Sequence, residues 1–325
     1  MSYQFGIILV LVASTIAAPA LSADPASQYP SKPIRIVIGF SPGSGVDVSA
    51  RVIAQKLNER WGQPVISDNR PGAGGTIAAG MVAGANPDGY TIISVSAGHV
   101  IAPSLYSKLK FDAQKDFAGI TTTVSLPNVL VVSPSLGVKS VKELIALAKA
   151  KPGQVMFSSG GVGSGTHFAS ELFKALAGLN VSHVPFKGIP EALLETMAGR
   201  VAFTMSPVAN VLPQVKAGKV IALAVAPAKR ASVLPDVPTL AEAGVAGYKW
   251  DTWFGFLVPA KTPRPIVRKL NEEVTRILVA PDVERQWNAM GAEPWPMKPE
   301  QFDKYIADQI SVIAKLVKTA KIKVE

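Results

Sequence analysis

Short apolar runs alternate along the chain with stretches of helical spacing, and this alternation predicts an α/β protein with mostly parallel strands. Six apolar runs are predicted strands, at residues 34–39, 91–95, 129–132, 155–158, 201–205 and 221–225. Open α/β sheets bind ligands at the carboxyl ends of their strands, so the residues that follow these runs are the first candidates for a site.

Several helices have recognisable ends. The capping box Ser140-Val-Lys-Glu143 begins a helix that stops at Lys151-Pro-Gly153. Thr262-Pro263 begins another, whose inward face carries Ile266, Leu270, Val274 and Ile277. The last predicted helix begins at about Pro299, with Phe302, Ile306, Ile313 and Val317 as its apolar stripe.

Two glycine-rich loops each connect a predicted strand to a predicted helix. The first, FSPGSGVDVSAR at residues 40–51, precedes a helical face of Val46, Ala50, Ile53 and Leu57. The second, at residues 155–167, precedes a face of Phe168, Leu172 and Leu176. Free N–H groups and a positive dipole end at a helix N-terminus favour the binding of an anion. Because one such loop lies in each half of the chain, the pair predicts two lobes that face each other across a ligand cleft. The alternative is that these glycines only permit tight turns.

Known catalytic and nucleotide motifs are absent from the sequence. Gly43-Ser-Gly45, Gly72-Ala-Gly74 and Gly161-Val-Gly163 all lack the third glycine of a dinucleotide fingerprint, and no Gly-Lys-Ser/Thr sequence marks a phosphate loop. The chain has no cysteine, no histidine pair with metal spacing and no nucleophile elbow. We therefore predict a binding protein without metal or cofactor; a secreted α/β hydrolase is the alternative.

Composition and the N-terminus narrow the class further. The 325 residues are 48% hydrophobic and 17% charged, which indicates a globular chain long enough for two domains. The net charge of +10 is scattered rather than clustered, which favours an anionic ligand over nucleic acid. Residues 1–23 predict a signal peptide cleaved after Ala20 or Ala23 and hence a periplasmic location; an uncleaved anchor or a cytosolic strand is the alternative.

Six motifs together resemble the substrate-binding proteins of tripartite tricarboxylate transporters, the Bug family. They are Pro42-Gly-Ser-Gly-Val-Asp47, Asp68-Asn-Arg-Pro-Gly-Ala-Gly-Gly75, Asn86-Pro-Asp-Gly-Tyr90, His183-Val-Pro-Phe-Lys-Gly188, Leu234-Pro-Asp-Val-Pro-Thr239 and Glu242-Ala-Gly244. The resemblance covers nearly all of the chain after the predicted signal peptide.

The resemblance implies a type II periplasmic-binding-protein fold, with two α/β lobes around a ligand cleft. Residues 24–125 and 227–325 would form the first lobe and residues 126–226 the second. It also implies that a monomer captures a small carboxylate and delivers it to a membrane permease; a sensing protein without a permease is the alternative. The candidate ligand-binding residues are Phe40, Ser41, Pro42, Gly43, Ser44, Gly45, Asp47, His99, Ser159, Gly160, Gly163, Ser164, Gly165, Thr166, His167, Phe186, Lys187 and Ser206.

Three departures from the family pattern concern the ligand. Ser44 stands where a second glycine is common, Phe186 stands where tyrosine is usual, and residues 201–207 lack an acid that many members carry. Without a carboxylate partner a buried ammonium is costly, so an amino acid is disfavoured relative to an acid with an uncharged body. The aromatic cluster Trp250, Trp253 and Phe254 makes a flat aromatic acid a plausible ligand, and a short dicarboxylate is the alternative. Core packing would equally explain the two tryptophans.

Overall fold

The computed structural model describes Met1 and residues 26–319. The predicted signal peptide at residues 1–23 therefore lies almost entirely outside the described residues. Within them, no helix is long and apolar enough to cross a membrane.

Two separate sheets organise the chain. The first lobe is built on a six-stranded sheet in the order β11-β4-β10-β3-β1-β2, and the second lobe on a five-stranded sheet in the order β7-β6-β8-β5-β9. The strands are β1 Ile34–Ile38, β2 Val65–Asn69, β3 Thr91–Ser96, β4 Phe117–Leu126, β5 Asn128–Val132, β6 Met156–Ser159, β7 Ser182–Pro185, β8 Phe203–Pro207, β9 Ile221–Val225, β10 Thr252–Pro259 and β11 Glu293–Pro294.

Ten α-helices accompany these strands in the described residues. They are α1 Gly45–Trp61, α2 Thr76–Ala83, α3 Gly98–Leu105, α4 Val141–Ala150, α5 Gly165–Ala177, α6 Ile189–Met197, α7 Val208–Lys216, α8 Arg264–Leu278, α9 Pro281–Ala289 and α10 Pro299–Thr319. The capping box at Ser140 is formed as predicted, since its side chain accepts a hydrogen bond from the Glu143 N–H. The predicted face of α5 is right for Phe168 and Leu172 but wrong for Leu176, which is exposed.

The prediction of mostly parallel strands is wrong, because both sheets are mixed. β10 runs antiparallel to its neighbours β3 and β4, and β5 runs antiparallel to β8 and β9. The chain passes from β4 to β5 through a single residue, Pro127, and returns to the first lobe as β10. The strands that enter a lobe after each crossing, β5 and β10, are therefore antiparallel to both of their neighbours. The lobe boundaries at residues 126 and 226 stay a prediction.

The tryptophans before and within β10 belong to the core. Trp253 packs edge-to-face on Phe302 and Tyr305 of α10, with ring centroids 5.6 Å and 5.5 Å away. Trp250 packs on Phe168 of α5 at 4.6 Å. Both indoles are almost fully buried. The structure therefore supports core packing, one of the two roles that the sequence left open for these tryptophans.

Candidate functional site

A central cavity lies between the two lobes. Its lining combines the starts of two long helices with apolar side chains from both lobes. The lining residues are Phe40, Ser44, Gly45, Val46, Ser96, Gly160, Ser164, Gly165, Thr166, Ile189, Pro207, Thr252 and Phe254. No charged side chain is among these described residues, so an anion here would depend on neutral donors.

The first-lobe side of the cavity is the N-terminus of α1. Ser44 is the N-cap residue, with extended backbone angles, and its side chain makes no capping bond. Its hydroxyl oxygen is buried without a hydrogen-bond partner among the described residues. A buried hydroxyl without a partner costs free energy, so this group is available to a ligand or to water.

Asp47 is hydrogen-bonded to the first glycine loop and is not among the residues that line the cavity. Its carboxylate accepts hydrogen bonds from the Gly43 backbone N–H at 2.9 Å and from the Asn69 side chain at 2.8 Å. The Arg51 guanidinium adds two more at 3.0 Å. The carboxylate is therefore fully engaged within its own lobe, which fits a positioning role for this candidate residue.

The second-lobe side of the cavity is the N-terminus of α5. Ser164 caps this helix by accepting a hydrogen bond from the His167 N–H at 3.1 Å. The Thr166 hydroxyl accepts one from the Gly160 N–H at 3.0 Å and lies 3.0 Å from the Ser164 hydroxyl. The two helix starts thus bring N–H groups, hydroxyls and positive dipole ends to one cavity.

The histidine pair His167 and His183 packs against the second glycine loop. The Ser159 hydroxyl lies 2.7 Å from His183 Nε2 and accepts a hydrogen bond from the Gly161 N–H. The rings of His183 and His167 stack with centroids 4.2 Å apart, and His167 Nδ1 accepts from the Gly163 N–H. Sequence reasoning did not anticipate this serine–histidine pair. Ser159 is fully buried and lies outside the cavity lining, so the pair shapes the loop and offers no accessible nucleophile.

Hydrogen bonds across the cleft hold the lobes in a closed arrangement. The Ser41 N–H donates to the Lys187 carbonyl oxygen at 3.3 Å, and the Asn210 side chain donates to the Gly43 carbonyl oxygen at 2.9 Å. The Tyr106 hydroxyl donates to the Val162 carbonyl oxygen at 2.8 Å. Closure of this kind excludes water from the cavity and brings donors from both lobes together.

The remaining candidate residues lie at the edges of the cavity. Pro42 is exposed on the outer side of the first loop, and Ser206 is buried beside the cavity, with the neighbouring Pro207 in the lining. Phe186 and Lys187 border the cleft mouth, a wider opening formed by Gly72, Ala73, Tyr106, Gly161, Val162, Pro185, Phe186, Lys187 and Glu191. The structure thus gathers the two loops at one place, while the role of each residue toward a ligand stays a prediction.

The wall formed by β10 was only partly anticipated from the sequence. Thr252 lies at the start of β10 and presents a second buried hydroxyl without a partner in the described residues. Phe254 packs against Gly45, where an added Cβ would lie 3.0 Å from its ring. Of the aromatic cluster Trp250, Trp253 and Phe254 that the sequence offered for the ligand, only Phe254 is in the described lining, and Thr252 had no sequence signal.

His99 lies in a rear compartment that adjoins the central cavity, with Phe40 and Ser96 lining both. The rear compartment is small and is lined by Gly39, Phe40, Gly74, Gly75, Thr76, Ala79, Ile93, Ser94, Val95, Ser96, Gly98, His99, Ala102 and Phe111. Burial lowers the pKa of His99 to about 4, because charging the ring there would require desolvating an ion. The imidazole is therefore neutral at pH 7.

This lowered pKa predicts acid sensitivity of the fold. The pKa of a histidine is about 6.5 in the unfolded chain and about 4 for His99 in the folded protein. The contribution of neutral His99 to the stability of the folded state is therefore complete above pH 6.5 and is lost as pH falls toward 4. We expect His99 alone to cost roughly 2 kcal/mol of unfolding free energy between pH 7 and pH 5. Urea unfolding at both pH values checks this: His99→Gln should lose less stability on acidification than the wild type, and an equal loss would contradict it.

Together the two lobes, the interlobe cavity and the paired helix starts define a two-lobed solute-binding protein. The family model of the tripartite tricarboxylate transporter family receptor matches residues 49–322. The chain is 34% identical over 320 residues to Protein BugT of Bordetella pertussis, covering 98% of this chain and 97% of BugT. The chain therefore belongs to the tripartite tricarboxylate transporter receptor family, as the motifs indicated.

Solved structures agree with this assignment. The structure of R. palustris Rpa4515 with adipate superimposes with a TM-score of 0.87 and 36% identity, covering 90% of this chain and 99% of that one. MatC from Rhodopseudomonas palustris with bound malate gives a TM-score of 0.84 and 32% identity, covering 89% and 100%. These matches confirm the predicted two-lobed fold and the predicted class, which is a binding protein rather than an enzyme.

Proposed function

We propose that this protein captures a small carboxylate with an uncharged body between its lobes. The observation that carries the proposal is the convergence of the α1 and α5 N-termini on one interlobe cavity, whose described lining residues carry no charge. A carboxylate accepts several hydrogen bonds at once, and charge-assisted bonds contribute about 1.5–3 kcal/mol each. The similar proteins with adipate and malate support the same ligand class.

The charges around the cavity favour an acid over an amino acid. Asp47 is already bonded to Arg51, Asn69 and Gly43, and Asp251 is exposed outside the lining. Glu191 lines the cleft mouth, and no acid is among the described residues that line the central cavity. A ligand ammonium inside the central cavity would therefore be buried without a carboxylate partner in its lining, which is costly. Phe40 and Phe254 instead offer apolar contact to an aliphatic or aromatic body.

Calorimetry with matched acids tests the proposed ligand class. The probe acids are succinate, adipate, hexanoate and benzoate, with aspartate as the amino-acid counterpart of succinate. We expect at least one probe acid to bind with 1:1 stoichiometry, and succinate to bind more tightly than aspartate. Tightest binding of aspartate, or no binding of any acid, would contradict the proposal.

Removal of hydroxyls at the second loop should weaken binding. Thr166→Val also leaves the Gly160 N–H without its acceptor, and Ser164→Ala removes the α5 cap. We expect affinity for the tightest probe acid to fall about 3- to 100-fold in each variant, which corresponds to one hydrogen bond. Ser140→Ala, which removes the equivalent cap of α4 outside the cavity lining, is the control for lost helix stability. Equal effects of Ser140→Ala and Ser164→Ala on affinity would place the ligand elsewhere.

The transport role follows from the family and completes the proposal. A closed, liganded monomer would deliver its carboxylate to the membrane permease of a tripartite tricarboxylate transporter. Receptors of this kind work in the periplasm, and the apolar segment before Ala20 and Ala23 supports export.

Export predicts a defined mature N-terminus. If residues 1–23 act as a cleaved signal peptide, intact-mass analysis of the periplasmic fraction should find a chain that begins near Leu21 or Asp24. Full-length chain beginning at Met1 in that fraction would argue against cleavage.

A further inference from the structure

The rear compartment contains a polar group that the proposed carboxylate contacts do not use. His99 is 5% exposed and packs between Phe111 and Phe117, with ring centroids 6.1 Å and 4.9 Å away. Its Nε2 lies 2.8 Å from the Ala113 carbonyl oxygen. A carbonyl oxygen only accepts hydrogen bonds, so Nε2 carries the proton of the neutral ring.

The other ring nitrogen is consequently an acceptor. Nδ1 of His99 is buried and has no hydrogen-bond partner among the described residues. In neutral imidazole with the proton on Nε2, Nδ1 presents only a lone pair. Leaving such an acceptor buried and unpaired costs free energy, so it favours any group that brings a hydrogen-bond donor into the rear compartment.

The compartment selects among the donors a ligand could bring. No charged side chain is among the described residues that line it, so an ammonium would be buried without a counter-charge. A carboxylate would place negative charge against the Nδ1 lone pair. A hydroxyl is uncharged and can donate to Nδ1, so it is the donor that suits this lining.

The two compartments are neighbours, because they share two lining residues. Phe40 and Ser96 line the central cavity on one side and the rear compartment on the other. We propose that the rear compartment is a second subsite, which takes the distal end of the carboxylate ligand and selects a hydroxyl there through His99 Nδ1. This inference rests on the proposed function, since it assigns the end of the ligand opposite the carboxylate.

Matched pairs of acids test the second subsite on the intact protein. Straight-chain acids of four, six and eight carbons are compared by calorimetry with the ω-hydroxy acids of the same length. We expect the wild type to prefer the hydroxy acid at least fivefold at one chain length. In His99→Phe, which keeps a ring between Phe111 and Phe117 and removes both nitrogens, that preference should fall to twofold or less.

A second variant and a spectroscopic measurement keep the proposal testable if His99→Phe does not fold. His99→Leu removes both ring nitrogens without adding another hydrogen-bond acceptor and should also lose most of the preference. In the wild type, the ¹⁵N resonance of His99 Nδ1 should shift upfield with the preferred hydroxy acid and stay in place with its unsubstituted partner.

The outcomes separate the inference from the function on which it rests. Binding of the plain acids without any hydroxyl preference, or with a preference that survives in both variants, would overturn the second subsite and leave the carboxylate site intact. Failure of every acid to bind would overturn the carboxylate proposal, and the second subsite with it.

Discussion

Gly74→Ala should weaken ligand binding about 10- to 100-fold by preventing closure of the lobes. An added Cβ at Gly74 would lie 2.3 Å from the Val162 carbonyl oxygen and 2.8 Å from the Ser164 backbone nitrogen. Gly74 belongs to the first lobe and the other two residues to the second, so the overlap exists only when the cleft is closed. Overpacking costs about 1–3 kcal/mol, and backbone atoms cannot move away as a flexible side chain can.

Gly62→Ala is the matched control for this variant. Gly62 has φ of 63°, nearly the same as the 61° of Gly74, but an added Cβ there meets nothing within 4 Å. Both substitutions place alanine in the left-handed region and should cost the fold about 1–2 kcal/mol. Only Gly74→Ala should lower affinity and abolish the ligand-induced compaction measured by small-angle X-ray scattering. Equal affinities of the two variants would show that closure of the lobes does not depend on the lack of a side chain at Gly74.

Ser44→Asp should nearly abolish carboxylate binding while leaving the fold intact. Aspartate is a preferred N-cap residue, so α1 should be as stable as before. Its carboxylate would lie at the same helix start as the ligand carboxylate, inside a cavity whose described lining residues carry no charge. Two like charges about 4 Å apart repel by about 4 kcal/mol at an effective dielectric constant of 20, so affinity should fall about a thousandfold.

Two controls separate this repulsion from other effects of the substitution. Ser44→Ala removes only the hydroxyl and should weaken binding about 2- to 10-fold. Ser140→Asp makes the same chemical change at the N-cap of α4, outside the cavity lining, and should leave affinity unchanged. If calorimetry found Ser44→Asp and Ser44→Ala equally weakened, the carboxylate would not lie at the start of α1.

The glycine loops could be located from sequence because their signals are local. A strand, a run of glycines and an amphipathic helix succeed one another within a short segment, so the α1 and α5 starts follow from spacing alone. The occurrence of two such loops, and then the family motifs, indicated that both belong to one cleft. The structure brings Ser44 and Thr166 to the same cavity in agreement with that interpretation.

The rest of the site depends on long-range packing that no local pattern encodes. Thr252 and Phe254 reach the cavity only because β10 inserts antiparallel between β3 and β4. Tyr106 and Asn210 bridge the lobes through backbone carbonyl oxygens, and any residue type supplies those acceptors. Asp47 lies at a predicted helix start, yet its orientation away from the cavity depends on Asn69, which comes from a neighbouring strand.

A crystal structure with the tightest of the probe acids tests the central claim most directly. The account predicts a closed cleft with one ligand carboxylate in the central cavity. Its oxygens should lie within hydrogen-bond distance, about 2.7–3.2 Å or one bridging water, of donors at the starts of both α1 and α5. A carboxylate found at the cleft mouth beside Lys187, or contacting only one of the two helix starts, would contradict it.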